Sequence, residues 1–231
     1  MDYQEATDSS TGLVWWRSAG SGTLRILPDV NADLMFWRGG LQIAGYDTVA
    51  HEFDRGPGEC TFGIRLPAGV LPALLHDSAT SATDARVPVR LPSGDARLAR
   101  MIGQLPAAAN TAEALRDIAV RLLARADPDP ETGRTADVIL ELARRDLSVH
   151  AMAETLGWTQ RRLHRFSTET FGTSASVLRS LCRFRRAHAL LSAGTRPAEA
   201  GALAGYADQA HLTRHVKRFA ATTPGELVKS S

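Results

Sequence analysis

Hydrophobic positions in the first 66 residues form short runs that are separated by turns rich in glycine and proline. Such runs, with apolar and polar residues alternating, predict β-strands. The runs lie at 13–16, 23–27, 34–37, 41–44 and 60–66. The dipeptide Gly39-Gly40 falls between the third and fourth runs and indicates a tight hairpin. This even spacing predicts a small antiparallel β barrel or sandwich.

Beyond residue 70 the apolar spacing changes to that of helices. Helices are predicted over about 70–78, 95–105 and 111–126. In the third of these, Leu115, Ile118 and Leu122 fall on one face, as in a helix that packs on a core. We therefore expect an α+β chain whose N-terminal sheet is flanked by helices.

A change of composition at residues 127–133 separates this half from the rest. Two prolines, three acidic residues and one glycine occur within seven positions, which is typical of an exposed linker. The domains predicted from this boundary are an N-terminal domain over 1–126, a linker over 127–134 and a C-terminal helical domain over 135–231.

Local capping and turn residues predict a helix-turn-helix motif soon after the linker. A first helix is expected over about 135–145. Ser148 is a suitable N-cap for the next helix, and Gly157 ends it. Thr159 caps a further helix whose inward residues are Leu163 and Phe166. Two short helices joined by a glycine-containing turn make the helix-turn-helix geometry.

The same pattern repeats about 48 residues later. Pro197 suits the first position of a helix, Gly205-Tyr206 makes the turn, and Asp208 caps a helix with Leu212 inward. The offset is 48 residues at the turn glycine and 49 at the leucine, so the second turn is one residue longer. A long helix over 176–191 joins the copies, with its apolar face formed by Val177, Leu181, Phe184, His188 and Leu191. A matched internal repeat is more specific than one isolated motif.

Charge is distributed unevenly along the chain, although the net charge is only +2. From Glu131 to the end there are 15 Lys and Arg against 9 Asp and Glu, whereas the preceding residues hold 12 against 16. A basic second half suggests a polyanionic partner. No apolar run approaches the ~18 residues of a membrane helix, and no signal sequence opens the chain. A cytoplasmic protein with no membrane partner is therefore expected.

Several motifs of the second half resemble the DNA-binding domain of AraC/XylS-type transcription regulators. The resemblance covers about 100 residues and rests on Leu156-Gly157, Leu163-His164-Arg165, Gly205-Tyr206-Ala-Asp-Gln209, Leu212-Thr213-Arg214, Lys217-Arg218-Phe219 and Thr223-Pro224. It implies two helix-turn-helix units that place their second helices in successive major-groove segments. The implied function is transcription regulation, more often activation, with double-stranded DNA and RNA polymerase as partners.

The chain departs from this family pattern at a few positions. Ser167 stands where the family usually has phenylalanine, and Phe166 is expected to take its place. The first helix of the second unit carries Ala200, Gly201 and Ala204, where larger apolar residues are common. These small residues predict thinner packing in the second unit.

The N-terminal half is similar to a small domain that precedes such a DNA-binding domain in some actinobacterial regulators. The similarity rests on Trp15-Trp-Arg, Leu27-Pro-Asp29, Ile43-Ala-Gly45 and Gly63-Ile-Arg-Leu. It implies either sensing of a small-molecule effector or formation of a homodimer, and it leaves both open.

Outward positions of the two second helices are the candidate DNA contacts. Arginine can donate two hydrogen bonds to guanine, glutamine can pair with adenine, and a methyl group can contact thymine. The predicted base contacts are Arg161, His164 and Arg165 in the first unit and Gln209, Ala210, Thr213 and Arg214 in the second. The predicted phosphate contacts are Arg162, Arg183, Arg186, Lys217 and Arg218, which would supply affinity and salt dependence.

Four aromatic residues of the first half are candidates for a ligand pocket, namely Trp15, Trp16, Phe36 and Trp37. The alternative is that alternate members fill the core of the sheet. No cofactor is predicted, and no metal site, because this half has only two histidines, which are distant in sequence.

No catalytic motif is found, so an enzyme is not expected. The competing interpretations are a DNA-repair alkyl transferase that uses Cys60 as acceptor and an architectural DNA binder that needs no ligand. Cys60 and Cys182 are too far apart in the sequence to suggest a disulfide framework.

Overall fold

The N-terminal half forms one antiparallel sheet in the computed structural model, which describes residues 2–91, 95–105 and 110–229. Its strands are β1 (Asp2–Thr7), β2 (Val14–Ile26), β3 (Asp33–Trp37), β4 (Gly40–Ala44), β5 (His51–Arg65) and β6 (Arg86–Pro88), in the spatial order β1-β2-β5-β3-β4-β6. The α+β class and the antiparallel pairing are confirmed. The described strands form one six-stranded sheet rather than two packed sheets.

Strand bounds differ from the sequence prediction where strands are polar or bent. The runs predicted at 13–16 and 23–27 belong to the single strand β2, whose pairing with β5 shifts register between Gly20 and Gly22. Strand β5 begins at His51, nine residues before the predicted run. β1 was not predicted, because its sequence is largely polar and it is exposed along its whole length at the sheet edge.

Alternation along the strands gives the sheet two different faces. Leu34, Phe36, Ile43 and Ile64 lie on the face that packs against helices, where all four are buried. The helices of this half are α1 (Leu71–Leu75), a 3₁₀ turn (Ala79–Ala82), α2 (Ala96–Gln104) and α3 (Thr111–Ala126). The opposite face lines a cavity, described below.

The C-terminal half is helical throughout its described length. Its helices are α4 (Pro130–Arg144), α5 (Val149–Thr155), α6 (Gln160–Phe171), α7 (Ala175–Ser192), α8 (Pro197–Leu203), α9 (Gln209–Ala220) and α10 (Pro224–Lys229). Each of α8 and α9 repeats a helix of equal length, at an offset of 48 residues from α5 and 49 from α6. No helix in the described part of the chain is long and apolar enough to cross a membrane.

Helix α4 corrects the expectation for the segment between the halves. It begins at Pro130, inside the stretch interpreted as a linker. The Asp129 carboxylate accepts hydrogen bonds from the backbone N–H groups of Glu131 and Thr132, and proline fits the first helical turn because no partner for its nitrogen is needed there. Proline and acidic residues here start a helix instead of preventing one.

The first helix-turn-helix unit shares a hydrophobic core with the N-terminal sheet. One continuous cluster of buried residues runs from the strands through α3 and α4 to α6. Tyr46 packs edge-on against Phe171 with ring centroids 5.3 Å apart, and Thr83 Oγ1 donates a hydrogen bond to the Gly172 carbonyl at 3.1 Å. The second unit has a separate core around Phe184, with Leu181, Leu212, Val216 and Phe219. The proposed boundary between residues 126 and 135 therefore divides the chain but not the first core.

Small residues bring α8 close to α9 in the second unit. Ala200 and Ala204 are fully buried, and a Cβ added at Gly201 would lie 3.5 Å from Leu212 Cδ2, an ordinary van der Waals distance. The thin helix predicted from the sequence is thus closely packed on its neighbour.

We predict that Gly201→Ala stabilises the protein by about 0.5–1 kcal/mol, because glycine inside a helix costs this much relative to alanine and the added methyl group fits. Urea unfolding monitored by circular dichroism measures the change. The control is Gly205→Ala, which we expect to destabilise the protein because Gly205 has a φ of +87°. A loss of stability in Gly201→Ala would contradict the packing described here.

Candidate DNA interface and ligand cavity

The two turns of the helix-turn-helix units have the same backbone geometry. Gly157 and Gly205 have φ angles of +64° and +87°, a region that glycine enters without strain. In each turn the residue after the glycine donates its N–H to a carbonyl five residues earlier: Trp158 to Ala153 at 2.8 Å and Tyr206 to Gly201 at 2.9 Å. These bonds end α5 and α8 alike and set the direction of α6 and α9.

Helix α6 presents the predicted arginine-rich face to solvent. Leu163 and Phe171 anchor its other face in the first core, together with Ser167 and Thr170, all of them buried. The side chains of Arg161, His164 and Arg165 are exposed. The Arg162 guanidinium lies 4.2 Å above the Trp158 ring, which holds it at the edge of this face.

Helix α9 presents a more mixed face in the second unit. Gln209, Ala210 and Arg214 are exposed, as are Lys217 and Arg218 near the helix end. The half-buried Thr213 donates its hydroxyl hydrogen to the Gln209 carbonyl at 2.9 Å. Of the predicted base contacts in this unit, Thr213 is therefore the least accessible.

Two of the predicted phosphate contacts are occupied inside the protein. The Arg183 side chain is only 11% exposed and donates to both carboxylate oxygens of Asp146. Arg186 donates to the backbone carbonyls of Arg144 and Ala204. A phosphate contact would require each of them to give up these partners, so both leave the candidate set. Sequence periodicity placed them on the connecting helix but gave no sign of these partners.

Asp146 connects the two helix-turn-helix units. It follows α4 and accepts hydrogen bonds from Arg179 Nε at 2.7 Å and Arg183 Nη2 at 2.7 and 2.8 Å, both on α7. Partial burial opposes ionisation, but the bonds from Arg183 and Arg179 hold the pKa of Asp146 below its usual value. A Cβ at Gly205 would lie 3.2 Å from Asp146 Oδ2, so the second turn also touches this carboxylate.

An aromatic cluster supports α9 from behind. His215 packs edge-to-face against Tyr206, His211 and Phe219 with ring centroids 4.6–5.5 Å apart. Burial, and then the nearby His211 and arginines, lower the pKa of His215 to about 4. The ring is therefore neutral at pH 7 and serves as packing, as the sequence suggested.

A cavity of about 510 Å³ lies on the second face of the N-terminal sheet. Trp16 and Trp37 line it, as predicted. Trp15 and Phe36 do not, which corrects the prediction, because neighbouring residues of a strand point to opposite faces and these two pack in the core. Both interpretations of the aromatic set thus hold, each for two of its members.

Charged residues line the same cavity, and the sequence pattern did not reveal them as a site. Arg86 donates to both oxygens of Asp47 at 2.9 and 2.7 Å. Trp16 Nε1 donates to Asp33 Oδ1 at 2.8 Å, while burial, and then the neighbouring Asp29, raise the pKa of Asp33 to about 7. Arg25, Arg55 and Arg65 complete the basic part of the wall.

The cavity reaches the DNA-binding half at two points. Arg185 of α7 is one of its lining residues. Arg25, also in the wall, forms an ion pair with Glu52 at 2.6 Å and donates to the Ala220 carbonyl at the end of α9 at 3.3 Å. A bound molecule would therefore lie next to groups that contact both the connecting helix and the second recognition helix.

Asp47, His51 and Asp84 form the one potential metal-ligand group among the described residues. Their oxygens already have protein donors: Asp47 binds Arg86, and Asp84 accepts bonds from the backbone and hydroxyl of Thr48. This donor set is satisfied as an ion-pair network, and we assign no metal to it.

Cys60 lies away from both sites. It is on β5 beside Thr61, which lines the cavity, so the cysteine points to the opposite face of the sheet. Its neighbours provide no link between the thiol and the exposed faces of α6 and α9. The alkyl-transferase interpretation gains no support from this position.

We predict that Asp146→Ala lowers the free energy of unfolding by about 2–3 kcal/mol, because two arginines lose a charge-assisted partner. We also expect weaker binding to specific DNA, since α6 and α9 lose a shared anchor. Chemical unfolding and fluorescence anisotropy measure the two effects. Asp117→Ala, which breaks an exposed ion pair with Arg116, is the control and should change little. Unaltered stability in Asp146→Ala would contradict the anchoring role.

We predict that acidification weakens the second unit through His215. Because its pKa is about 4 in the folded protein and 6.5 ordinarily, the unfolded chain binds a proton between these values and the folded one does not. Stability from this residue is complete above about pH 6.5 and is lost as the pH falls toward 4. Thermal unfolding at two pH values should therefore show a smaller acid-induced loss in His215→Gln than in the wild type.

The exposed His150 provides the control for this experiment, because its side chain is 70% accessible. We expect His150→Gln to retain the wild-type pH dependence. Equal acid-induced losses in the wild type and His215→Gln would show that burial of His215 does not affect stability.

Comparison with known proteins agrees with this geometry. Residues 152–230 match a family model described as a helix-turn-helix domain. No curated protein sequence matches the chain.

Solved structures of ToxT from Vibrio cholerae are similar in fold. The apo form of a ToxT point variant from strain SCE256 has a TM-score of 0.51 at 9% identity, covering 95% of this chain and 98% of that chain. ToxT from strain O395 has a TM-score of 0.49 at 10% identity, covering 99% and 97%. Wild-type ToxT bound to an unsaturated fatty acid has a TM-score of 0.44 at 8% identity, covering 94% of both chains. The first likeness shows a shared fold.

The family match and the paired turns describe the same residues. Both units have a capped second helix with a buried apolar side and an exposed polar side. The chain therefore carries an AraC-type helix-turn-helix domain over residues 152–230, the DNA-binding domain of a transcription regulator.

Proposed function

We propose that the outward faces of α6 and α9 read the sequence of duplex DNA and that a small molecule in the N-terminal cavity controls this binding. The observation that carries the proposal is the pair of exposed helix faces held together through Asp146. Helix-turn-helix proteins place the second helix of the motif in the major groove, and two linked units can occupy successive groove segments.

Base recognition would rest on the exposed residues of each face. Arg161 and Arg165 are one helical turn apart, and the guanidinium of each can donate two hydrogen bonds to guanine O6 and N7. Gln209 can pair with adenine, and Ala210 can contact a thymine methyl group. His164 and Arg214 complete the proposed set. The first unit thus favours guanine, whereas the second has mixed preferences.

Phosphate contacts would come from the basic residues at the margins of these faces. Arg162, Lys217 and Arg218 remain in the proposed set because all three are exposed. Phosphate contacts strengthen binding to any sequence and make it sensitive to salt.

Control by an effector is supported by the position and size of the cavity. Ligand pockets for small molecules usually have volumes of about 300–1,000 Å³, and this cavity has about 510 Å³. Its wall includes Arg185 of α7 and Arg25, which contacts the end of α9. A ligand that alters either contact changes how α9 is held. Contact with RNA polymerase, activation of transcription and homodimer formation stay predictions of the family resemblance.

We predict that Arg165→Ala costs about 1–3 kcal/mol of binding to the specific site and relaxes the preference at one base position. Arg218→Ala should weaken binding to all sequences and lower the salt slope by about one unit. Genomic fragment selection supplies the site, and anisotropy titrations with specific and random duplexes at several salt concentrations measure both effects. Equal weakening of Arg165→Ala on specific and random DNA would contradict base reading.

A further inference from the structure

The cavity contains a buried arginine that lacks a counter-ion. Arg55 of β5 is 8% exposed and lines the cavity wall. Its single hydrogen bond among the described residues is from Nη1 to Ser18 Oγ, at 3.1 Å. Its Nε is buried without a partner, and within the described part of the chain no carboxylate lies within 4 Å of the guanidinium. A guanidinium has five N–H donors, so most of its hydrogen-bonding capacity is unused.

The other arginines contributed to this wall by the sheet are paired. Arg86 faces Asp47 at 2.7 Å, Arg25 faces Glu52 at 2.6 Å, and Arg65 faces Glu5 at 3.5 Å. A buried charge without a partner is costly, and proteins rarely keep one without a purpose. Arg55 is therefore the residue of the sheet at which an anion is missing.

The backbone near Arg55 leaves room for its guanidinium. Gly20 lies on the neighbouring strand β2, where a Cβ would come within 2.9 Å of Arg55 Nη2. Ser18, two residues earlier on β2, supplies the oxygen that accepts from Nη1. Glycine and serine at these positions accommodate the cation without neutralising it.

The remaining wall is largely apolar and aromatic. It includes Trp16, Leu24, Ile26, Met35, Trp37 and Phe53. Such a surface favours the apolar body of a small molecule through burial and ring contacts.

We propose that the cavity binds a small organic acid with an apolar body, whose carboxylate pairs with Arg55. This inference rests on the proposed effector control and specifies the chemistry of the effector. Arginine pairs well with carboxylates because its planar fork matches their two oxygens. A phosphate group fits less well, since its second negative charge would face a wall that also contains Asp29, Asp33 and Asp47.

Calorimetric titration of the full chain with matched acid and amide probes tests the proposal. The probes are naphthalene carboxylate with naphthalene carboxamide, decanoate with decanamide, and inorganic phosphate. At least one acid should bind the wild type about tenfold or more tightly than its amide. Arg55→Met should abolish this preference and leave amide binding unchanged. Arg17→Gln, on the opposite face of β2, is the control and should keep the wild-type preference.

Folding of the variant is checked without ligand. Because methionine replaces an unpaired buried charge with an apolar chain of similar length, Arg55→Met should unfold at the wild-type temperature or above. If it fails to fold, Arg55→Lys provides a second test, since lysine keeps the charge but lacks the fork; the preference for the acid should fall at least about threefold.

Several results would overturn the proposal: no binding of either acid, equal binding of acid and amide, an unchanged preference in Arg55→Met or Arg55→Lys, or phosphate binding as tight as that of the acids. DNA titrations separate it from the proposed function. If an acid binds through Arg55 without changing DNA affinity, the ligand assignment stands and effector control is wrong. If no acid binds while recognition of specific DNA is intact, the ligand assignment alone is wrong.

Discussion

The packing of the first helix-turn-helix unit on the N-terminal sheet is the constraint on which the rest of the structure depends. Phe171, at the end of α6, is fully buried against Tyr46 of the N-terminal half. Gly172 follows with a φ of +70°, and a Cβ there would clash with Thr83 and Ala79. The end of the recognition helix is therefore fixed to the sheet domain at a point where no side chain is tolerated.

The second unit is held in a different way. Its core is its own, and its links to the rest of the molecule include the Asp146 carboxylate and the bond from Arg25 to Ala220. Polar contacts of this kind can be exchanged at lower cost than a shared apolar core, because water can replace a lost partner at the surface. The two recognition helices thus differ in mobility in a way that suits regulation: α6 is the fixed element, and α9 is the one a ligand can reposition.

Local chemistry made much of the C-terminal half predictable from the sequence. The N-caps Ser148, Thr159 and Asp208 accept the expected backbone hydrogen bonds, and the turn glycines end their helices as predicted. These signals depend on residues only a few positions apart, so they can be read without knowing the fold. The extra residue in the second turn is also visible in the sequence.

Features that arise from register and long-range pairing were not predictable. The roles of Arg183 and Asp146 come from a contact across 37 residues, and the split of the aromatic set into core and cavity members comes from strand alternation. Asp129 and Pro130 start a helix, where their composition suggested a linker, because the cap and the proline act together. Arg55 falls in a polar stretch of β5 that contains two glycines and a proline, so its burial could not be inferred.

The absent side chain at Gly20 has a consequence for the evolution of this cavity. A larger residue at position 20 would push against the Arg55 guanidinium, so the two positions are expected to covary. Chains that keep glycine and arginine at these two places would share the preference for an acidic ligand, however different their aromatic residues. Chains that lose the arginine are released from the need for glycine and are free to evolve pockets for neutral compounds.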